Sequence, residues 1–340
     1  MSTDNPLRIG FIGAGANTRL RHLPGFKEIP GVELAMVANR SKESSEKVAS
    51  EFGIRAVAGH WSDIVESSDI DAVMIGTWPC LHAEATIAAL NAGKHVLTEA
   101  RMAMNVQEAE AMLAASKRHP ELVAQIVPAP FSLNFDTAIR KRLDAGELGE
   151  LLEVCVTQTG GQYVDSSAPM TWRQDRELSG VNILTLGIYH EMVLRWVKGD
   201  PERIQAAGAV FSPQRLDPET GRRKPVELPE SVSVLGRYPS GARLVYHFSG
   251  VETGLPRNEI RLNGSKGALR FDVAAGRLFH CVAGEAEAEV EIPPGERRGW
   301  RVEADFVDSI REGNPVELTD FETGVRYMKF TETVWSAVNG

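Results

Sequence analysis

Apolar and polar residues follow a repeating pattern over residues 1–126. Short apolar runs predict strands at Leu7–Ile12, Val32–Ala38, Ala72–Gly76, His95–Leu97 and Leu122–Ile126. Between them, apolar positions at helical spacing predict helices at Leu20–Glu28, Lys42–Phe52, His82–Ala92 and Val106–Ser116. Strands that alternate with helices are typical of βαβ units and a parallel sheet. The pattern therefore predicts an α/β domain with a doubly wound parallel sheet.

From residue 127 to residue 340 the pattern is different. Longer alternating stretches predict strands at Leu151–Gln158, Val232–Tyr238, Ala242–Ser249, Glu259–Leu262 and Ala268–Val273. Helical patterns follow at Asn182–Val197, at Val302–Glu312 and over residues 320–339. Strict alternation is typical of antiparallel strands with one solvated face. We expect an α+β domain with a large, mostly antiparallel open sheet, and an exposed loop over Ser212–Pro225.

Composition and charge narrow the class of protein. The 340 residues suffice for two domains with their own cores. The net charge of −9 argues against nucleic acid or a membrane surface as partner and favours a small polar ligand. The three cysteines lie far apart without metal-ligand spacing, so neither a disulfide framework nor a metal site is predicted. With no export signal and no apolar run long enough to span a bilayer, we expect a cytoplasmic protein.

A glycine-rich loop follows the first predicted strand and opens the first helix. In that context Gly13 permits a tight turn, and Gly15 lets the backbone approach a pyrophosphate at the helix end. Ala16 and Asn17 complete the loop, and Thr18 stands where such loops often have a third glycine. The alternative is a glycine turn without a ligand. The loop predicts a dinucleotide site.

The end of the second predicted strand indicates which dinucleotide is bound. NAD sites usually place Asp or Glu there for the ribose 2′-hydroxyl, whereas this chain has Asn39, Arg40, Ser41 and Lys42. A guanidinium can bind a 2′-phosphate through two hydrogen bonds and stack on adenine. The alternative is that Arg40 and Lys42 only begin a solvated helix. We expect NADP or NAD as cofactor, with NADP preferred.

The sequence resembles the glucose-fructose oxidoreductase / inositol dehydrogenase / MocA family over nearly its whole length. The matching pieces are residues 10–26, 71–79 with His82, 92–99, 146–149, 172–173, 179–187, 263–269 and 305–315. The resemblance implies a Rossmann domain, a second domain whose open sheet faces the substrate, and hydride transfer between nicotinamide and a sugar or polyol carbon. It also implies a homo-oligomer, either a dimer or a tetramer, formed through the outer face of that sheet.

The resemblance also indicates which residues contact the cofactor after the third and fourth predicted strands. Thr77, Trp78 and Pro79 are expected near the nicotinamide, and His82 is expected to cap or pack beside them. Glu99 begins the motif that carries the reacting group in this family, so it is a candidate for both cofactor and substrate contact.

The chain departs from the family at the catalytic positions. Where the family has Glu-Lys-Pro, this chain has Glu99, Ala100 and Arg101, so the lysine that stabilises the developing charge is absent. Where the family has Asp-x-Gly-x-His, this chain has Thr185 and Tyr189. Arg101 is a catalytic candidate to replace that lysine and a candidate for a substrate or phosphate contact, or else it is a partner for an acidic neighbour.

Besides Thr185, two residues of the second domain, Tyr189 and His190, remain candidates for chemistry. Tyr189 can act as acid or base if a neighbouring cation lowers its pKa, or it packs at an interface. His190 can replace the missing histidine, or it hydrogen-bonds a neighbouring segment. Glu191 and Arg195 are four residues apart, which predicts an ion pair within one helix.

Trp172 and Arg173 precede that helix in a stretch that lines the sugar site in the family. An aromatic face suits a pyranose and a guanidinium suits hydroxyl or acid groups, although core packing is the alternative. Three functions stay open. They are an NAD(P)-dependent oxidoreductase on a sugar, polyol or derivative; a sugar lyase, hydrolase or epimerase that oxidises its substrate transiently; and a non-catalytic dinucleotide or sugar sensor.

Overall fold

The computed structural model describes residues 6–340, which form two compact units. The first unit holds the chain up to residue 128 together with residues 301–328, and the second holds residues 129–300 and 329–340. The chain therefore returns to its first unit near the end. The predicted domains, 1–126 and 127–340, stay a prediction, and the first five residues lie outside the described ones.

The first unit contains a six-stranded, wholly parallel sheet in the order β3-β2-β1-β4-β5-β6. From the centre of the sheet, β1, β2 and β3 follow one another towards one edge, and β4, β5 and β6 follow one another towards the other edge. This reversal of direction between β1 and β4 confirms the doubly wound arrangement. The strands are β1 Leu7–Ile12, β2 Val32–Ala38, β3 Ala56–Val57, β4 Ala72–Ile75, β5 His95–Thr98 and β6 Ala124–Ile126.

Helices connect these strands. They are a π-helical turn at Thr18–His22 that runs into α1 Leu23–Lys27, then α2 Lys42–Phe52, α3 Trp61–Glu66, α4 Pro79–Asn91 and α5 Val106–Arg118, with α9 Val302–Glu312 added by the returning segment. Local signals define α2: the Ser41 side chain accepts the Ser44 amide at its start, and Gly53 takes the left-handed conformation at its end.

The second unit contains an eight-stranded sheet in the order β16-β15-β14-β13-β7-β12-β11-β8. Every neighbouring pair is antiparallel except β7 and β12, which confirms a mostly antiparallel sheet. The strands are β7 Leu151–Thr159, β8 Glu202–Ala209, β11 Ser231–Arg237, β12 Arg243–Ser249, β13 Asn258–Gly264, β14 Gly267–Asp272, β15 Arg277–Val282 and β16 Ala288–Glu289.

One face of this sheet carries the core of the second unit. Val154, Tyr246 and Ile260 alternate inward from three adjacent strands and are buried. The helices of the unit are α6 Asp136–Asp144, α7 Arg176–Ser179 and α8 Leu186–Leu194, while α10 Phe321–Asn339 begins in the first unit and ends in the second. Helix α8 belongs to the same apolar cluster as the inner sheet face.

The prediction of a loop over Ser212–Pro225 is wrong, although most residues of this segment are exposed as expected. The segment forms a two-stranded hairpin, β9 Gln214–Leu216 with β10 Arg223–Pro225. Arg215 is 1% exposed and pairs with Glu230, whose side chain is also buried, at 3.1 Å. Arginine and proline content suggested solvent exposure, but a buried carboxylate and several backbone carbonyls satisfy this guanidinium.

Two structural features of residues 6–340 bear on function. No helix in that range is long and apolar enough to cross a membrane. Nor do three or more His, Cys, Asp or Glu side chains in that range come together as metal ligands.

Candidate active site

The glycine-rich loop lies at the carboxyl end of β1. Gly13 has a φ of 80°, and a Cβ there would lie 2.5 Å from Thr77 Cγ2, so only glycine fits the turn. Its amide donates to Ala38 O at 2.8 Å, which fixes the loop to the end of β2. Gly15 is exposed, and a Cβ there would meet no atom nearer than 3.6 Å. The loop is thus tight at Gly13 and open at Gly15, which fits a pyrophosphate.

Asn39 holds this loop in place. Its Oδ1 accepts the Ala14 amide at 2.7 Å, and its Nδ2 donates to Ser44 Oγ at 2.9 Å. Its side chain is therefore used to connect the glycine-rich loop with α2, whereas the sequence suggested a 2′-phosphate contact. Ala16 and Asn17 of the loop are exposed, as a cofactor contact requires.

Arg40 and Trp78 lie together although the chain separates them. The Arg40 guanidinium carbon is 4.8 Å from the centroid of the Trp78 ring, which is a cation–π distance. Arg40 and Ser41 are both exposed at the end of β2. The 2′-phosphate and the nicotinamide lie at opposite ends of NADP, so two residues in contact cannot have both expected roles, and the contact with Arg40 favours Trp78 at the adenosine end.

His82 joins the loops that follow β4 and β5. Its Nδ1 lies 2.9 Å from Arg101 O and its Nε2 lies 3.1 Å from Thr77 O, and the ring is fully buried. Burial lowers the pKa of His82 and outweighs the two carbonyl contacts that would raise it. Pro79 is buried at the first position of α4, where its fixed φ suits a helix start.

Arg101 is a buried residue, with only 3% of its surface exposed. The peptide bond that joins it to Ala100 is cis. The hypothesis that Arg101 contacts substrate or phosphate stays a prediction.

Glu99 takes part in a charged cluster that the sequence did not reveal. Its Oε1 accepts from Asn17 Nδ2 at 2.5 Å and lies 3.0 Å from His22 Nε2. The other ring nitrogen of His22, Nδ1, lies 2.6 Å from Glu303 Oε1. No sequence signal connects His22 with Glu303, because 281 positions separate them.

The pKa values in this cluster shift as an ion pair requires. Burial opposes the charge on His22, but hydrogen bonds to Glu303 and Glu99 outweigh it and raise the pKa of His22 to about 9. Burial by itself would raise the pKa of Glu99, and the hydrogen bond and charge of His22 lower it overall. Glu99 is therefore ionised and His22 is protonated at neutral pH.

Tyr189 lies in α8 and is 2% exposed. Its hydroxyl donates to Asn258 Oδ1 at 2.6 Å, and its ring lies against Phe131 and Phe248, with centroids 5.9 and 5.5 Å away. Burial raises the pKa of Tyr189, although the hydrogen bond to Asn258 acts in the opposite direction. The expected lowering by a cation is not found, so the phenol is protonated at neutral pH.

His190 is packed inside the second unit. Its ring stacks on Phe330 at 3.8 Å between centroids, and Nδ1 lies 3.2 Å from the Tyr246 hydroxyl. The ring has no exposed surface. This geometry corresponds to the alternative in which His190 hydrogen-bonds a neighbouring segment, and its catalytic role stays a prediction.

The other residues predicted to bind substrate, Thr185, Trp172 and Arg173, make two separate side-chain contacts. Thr185 Oγ1 donates to Gln158 Oε1 at 3.0 Å. The Arg173 guanidinium carbon lies 4.2 Å from the Trp172 ring centroid, with Trp172 half-buried and Arg173 exposed. The ion pair between Glu191 and Arg195 is confirmed at 2.5 Å.

The strand order and the glycine turn define a Rossmann dinucleotide-binding domain, here followed by a mostly antiparallel open sheet. Comparison with known proteins agrees. Residues 7–126 match the GFO/IDH/MocA oxidoreductase family, NAD-binding Rossmann fold, and residues 137–270 match the GFO/IDH/MocA C-terminal domain. The chain belongs to the GFO/IDH/MocA family of NAD(P)-dependent oxidoreductases.

Two relatives and one solved structure illustrate the similarity. The chain is 31% identical over 296 residues to the dTDP-3,4-didehydro-2,6-dideoxy-alpha-D-glucose 3-reductase of Streptomyces violaceoruber, covering 86% of this chain and 80% of that one. It is 24% identical over 319 residues to the levoglucosan dehydrogenase of Pseudarthrobacter phenanthrenivorans, covering 87% and 79%. A levoglucosan dehydrogenase complex with NADH and levoglucosan has a TM-score of 0.87 at 21% identity, covering 98% of both chains, which shows a shared fold.

Proposed function

We propose that the protein transfers a hydride between NADP or NAD and a hydroxyl-bearing or carbonyl carbon of a sugar, polyol or sugar derivative. The observation that carries this proposal is the glycine turn, tight at Gly13 and open at Gly15, at the carboxyl edge of the parallel sheet. When bound, the nicotinamide supplies the hydride or accepts it. The two relatives are named for a dTDP-sugar and for levoglucosan, and both names support a carbohydrate substrate.

Residues of the second unit supply the proposed substrate contacts. Trp172 offers an aromatic face to an apolar sugar surface, and Arg173 and Thr185 offer hydrogen bonds to hydroxyl groups. We assign proton donation in the reducing direction to Tyr189, because burial keeps its phenol protonated. Arg101 and His190 remain further candidates for this chemistry.

A cofactor titration followed by a substrate screen tests the function. Binding is measured by the fluorescence of NADPH and NADH, and turnover by the absorbance of reduced nicotinamide with sugars, polyols and sugar acids. We expect tight dinucleotide binding and turnover with at least one carbohydrate. Failure of both dinucleotides to bind would overturn the proposal. Cofactor that stays bound through chromatography while sugar is converted without net absorbance change would favour transient oxidation.

We propose that NADP is preferred and that Arg40 reads the 2′-phosphate. The Trp78 ring supports the guanidinium from one side. Arg40→Ala is expected to raise the Kd of NADPH about tenfold while changing that of NADH little, because a charge-assisted bidentate contact is lost. Lys47→Ala, which removes an exposed charge from α2, serves as the control. Equal effects on the two dinucleotides in Arg40→Ala would contradict the assignment.

Tyr189→Phe tests the proton donor. The variant keeps the ring contacts and loses only the hydroxyl that donates to Asn258. We expect kcat to fall by a factor of about 100 to 1,000 with the cofactor Kd unchanged. Tyr246→Phe is the comparison, since it removes the hydroxyl that contacts His190. A larger loss in Tyr246→Phe than in Tyr189→Phe would transfer the role to His190.

We propose that the protein forms a homo-oligomer, a dimer or a tetramer, through the outer face of the large sheet. Leu235, Val245 and Cys155 are cross-strand neighbours on three adjacent strands, and they alternate with the inward-facing core residues. A row of apolar side chains on the solvent face of a sheet favours association. Light scattering of the purified protein measures the state, and a monomer at micromolar concentration would refute it.

A further inference from the structure

The charged cluster around His22 connects three segments of the first unit. His22 ends the π-helical turn after the glycine-rich loop, Glu99 follows β5, and Glu303 lies in the first turn of α9. His22 has no exposed surface and Glu303 is 3% exposed, whereas the Glu99 side chain is 15% exposed. Only the Glu99 end of the cluster therefore reaches the surface appreciably.

The distances define the charge on the ring. Nδ1 lies 2.6 Å from a Glu303 oxygen and Nε2 lies 3.0 Å from a Glu99 oxygen. An ionised carboxylate only accepts hydrogen bonds, so both ring nitrogens must donate. A neutral imidazole has one N–H, whereas an imidazolium has two. With both carboxylates ionised, these two contacts are those of a protonated His22.

The surrounding backbone is built around this arrangement. A Cβ on Gly25 would lie 2.8 Å from Glu303 Cδ, so the glycine leaves room for the buried carboxylate. At the other end, Asn17 of the glycine-rich loop donates to Glu99 at 2.5 Å. A continuous series of hydrogen bonds thus runs from α9 through His22 and Glu99 to the loop predicted to bind the pyrophosphate.

We propose that His22 is a positioning residue. Glu303 fixes the orientation of the His22 ring, and the ring holds Glu99 as an ionised hydrogen-bond acceptor at the carboxyl edge of the parallel sheet, where the cofactor is proposed to bind. This proposal rests on the proposed dinucleotide site. A carboxylate at that edge can accept a hydroxyl of the cofactor ribose. In this arrangement His22 supplies a buried positive charge next to the Glu99 carboxylate.

The proposal predicts a pH dependence of cofactor affinity. The groups that face His22 include the carboxylates of Glu99 and Glu303 and the neutral amide of Asn17, and His82, whose pKa burial lowers, is the next histidine near Glu99. Only the protonated His22 ring donates hydrogen bonds to Glu99 and Glu303 at the same time and so keeps Glu99 ionised in its place. Affinity should therefore be constant below the pKa of His22 and fall as the pH rises through about 9, where one of the two donors is lost.

Two variants and a control separate positioning from mere packing. His22→Gln is expected to raise the Kd of NADPH about tenfold at neutral pH and to abolish the fall in affinity near pH 9, since both carboxylates lose their charged partner. Glu303→Gln keeps an acceptor but removes the charge, so the fall in affinity should move to lower pH by about one unit or more. His119→Gln, a partly exposed histidine 3.5 Å from Glu121, should change neither quantity.

A second readout needs no cofactor. Nitrogen NMR of histidine rings in the cofactor-free protein should show the imidazolium form of His22 above pH 8, at a resonance missing from His22→Gln. If His22→Gln does not fold, Glu303→Gln still tests the proposal by the pH at which affinity falls. A neutral His22 at pH 7, or the same Kd and pH profile in wild type and Glu303→Gln, would overturn it. Lack of NADPH binding by wild type together with a charged His22 would refute the proposed function and leave the cluster intact.

Discussion

Replacing Arg215 by alanine is expected to lower the free energy of unfolding of the second unit by about 3–5 kcal/mol. The guanidinium is 1% exposed and its Nη2 lies 3.1 Å from Glu230 Oε1. It also donates to the carbonyl oxygens of Tyr163, Asp165 and Ala168 at 2.8, 2.7 and 3.2 Å. Alanine would leave a buried carboxylate without its cation and three carbonyls without this donor.

The effect should extend to the segment that carries the predicted sugar contacts. Gln174 donates to Glu230 at 3.1 Å and receives the Thr171 amide at 3.2 Å, so the Arg215 and Glu230 pair holds the stretch around Trp172. Loss of the Arg215–Glu230 pair should therefore raise the KM for substrate more than it raises the Kd of the cofactor.

Denaturant titration of the second unit measures this effect. Arg261→Ala is the matched control, because it removes an arginine whose ion pair with Glu259 is largely exposed and should cost at most about 1 kcal/mol. The double variant Arg215→Met with Glu230→Leu should recover less than half of the loss, since the carbonyls and the amides of Phe211 and Ser212 stay without these partners. Similar losses for Arg215→Ala and Arg261→Ala would show that the buried pair contributes no more than a surface pair.

Gly13→Ala is expected to raise the cofactor Kd by a factor of about 100 or more. Gly13 has a φ of 80°, and its added Cβ would lie 2.5 Å from Thr77 Cγ2 and 3.1 Å from the Gly76 carbonyl carbon. The loop must move away from β4 to relieve this overlap, and that movement changes the cradle for the pyrophosphate.

Gly53→Ala is the control that shows the effect of backbone strain without the steric overlap. Gly53 has a φ of 75°, nearly that of Gly13, but a Cβ there would meet no atom within 4 Å. Gly53→Ala should lose about 1 kcal/mol of stability because alanine disfavours positive φ, and Gly13→Ala should lose at least as much because it adds the overlap with Thr77. Only Gly13→Ala should lose cofactor, as measured by NADPH fluorescence. An unchanged Kd in a folded Gly13→Ala protein would contradict the assigned cofactor loop.

The bounds of a helix or strand could be predicted from the sequence where the element has both a clear apolar periodicity and local signals at its ends. The predicted bounds Leu7–Ile12, Val32–Ala38, Lys42–Phe52 and Val302–Glu312 coincide with β1, β2, α2 and α9. Strand β3 and helix α3 were missed, because two and six residues are too short for an apolar pattern to emerge. The hairpin at Gln214–Pro225 was missed because its charged residues masked a strand pattern.

The candidate site was predictable only where one segment carries the whole signal. The turn at Gly13 and the open position at Gly15 follow from the loop sequence and its place after a strand. The side chain of Asn39 was assigned to a ligand, yet it connects the loop with Ser44. Its role depends on which atoms surround it, and the sequence does not contain that information.

The sequence by itself determined the alternation of strands and helices in the first unit and the glycine turn, because short-range spacing specifies both, and its motifs indicated the family by resemblance. Only the tertiary structure decided that residues 301–328 pack with the first unit, and that His22 lies between Glu99 and Glu303. Charged side chains are buried only where partners from distant segments satisfy them, so their positions follow from the folded chain as a whole.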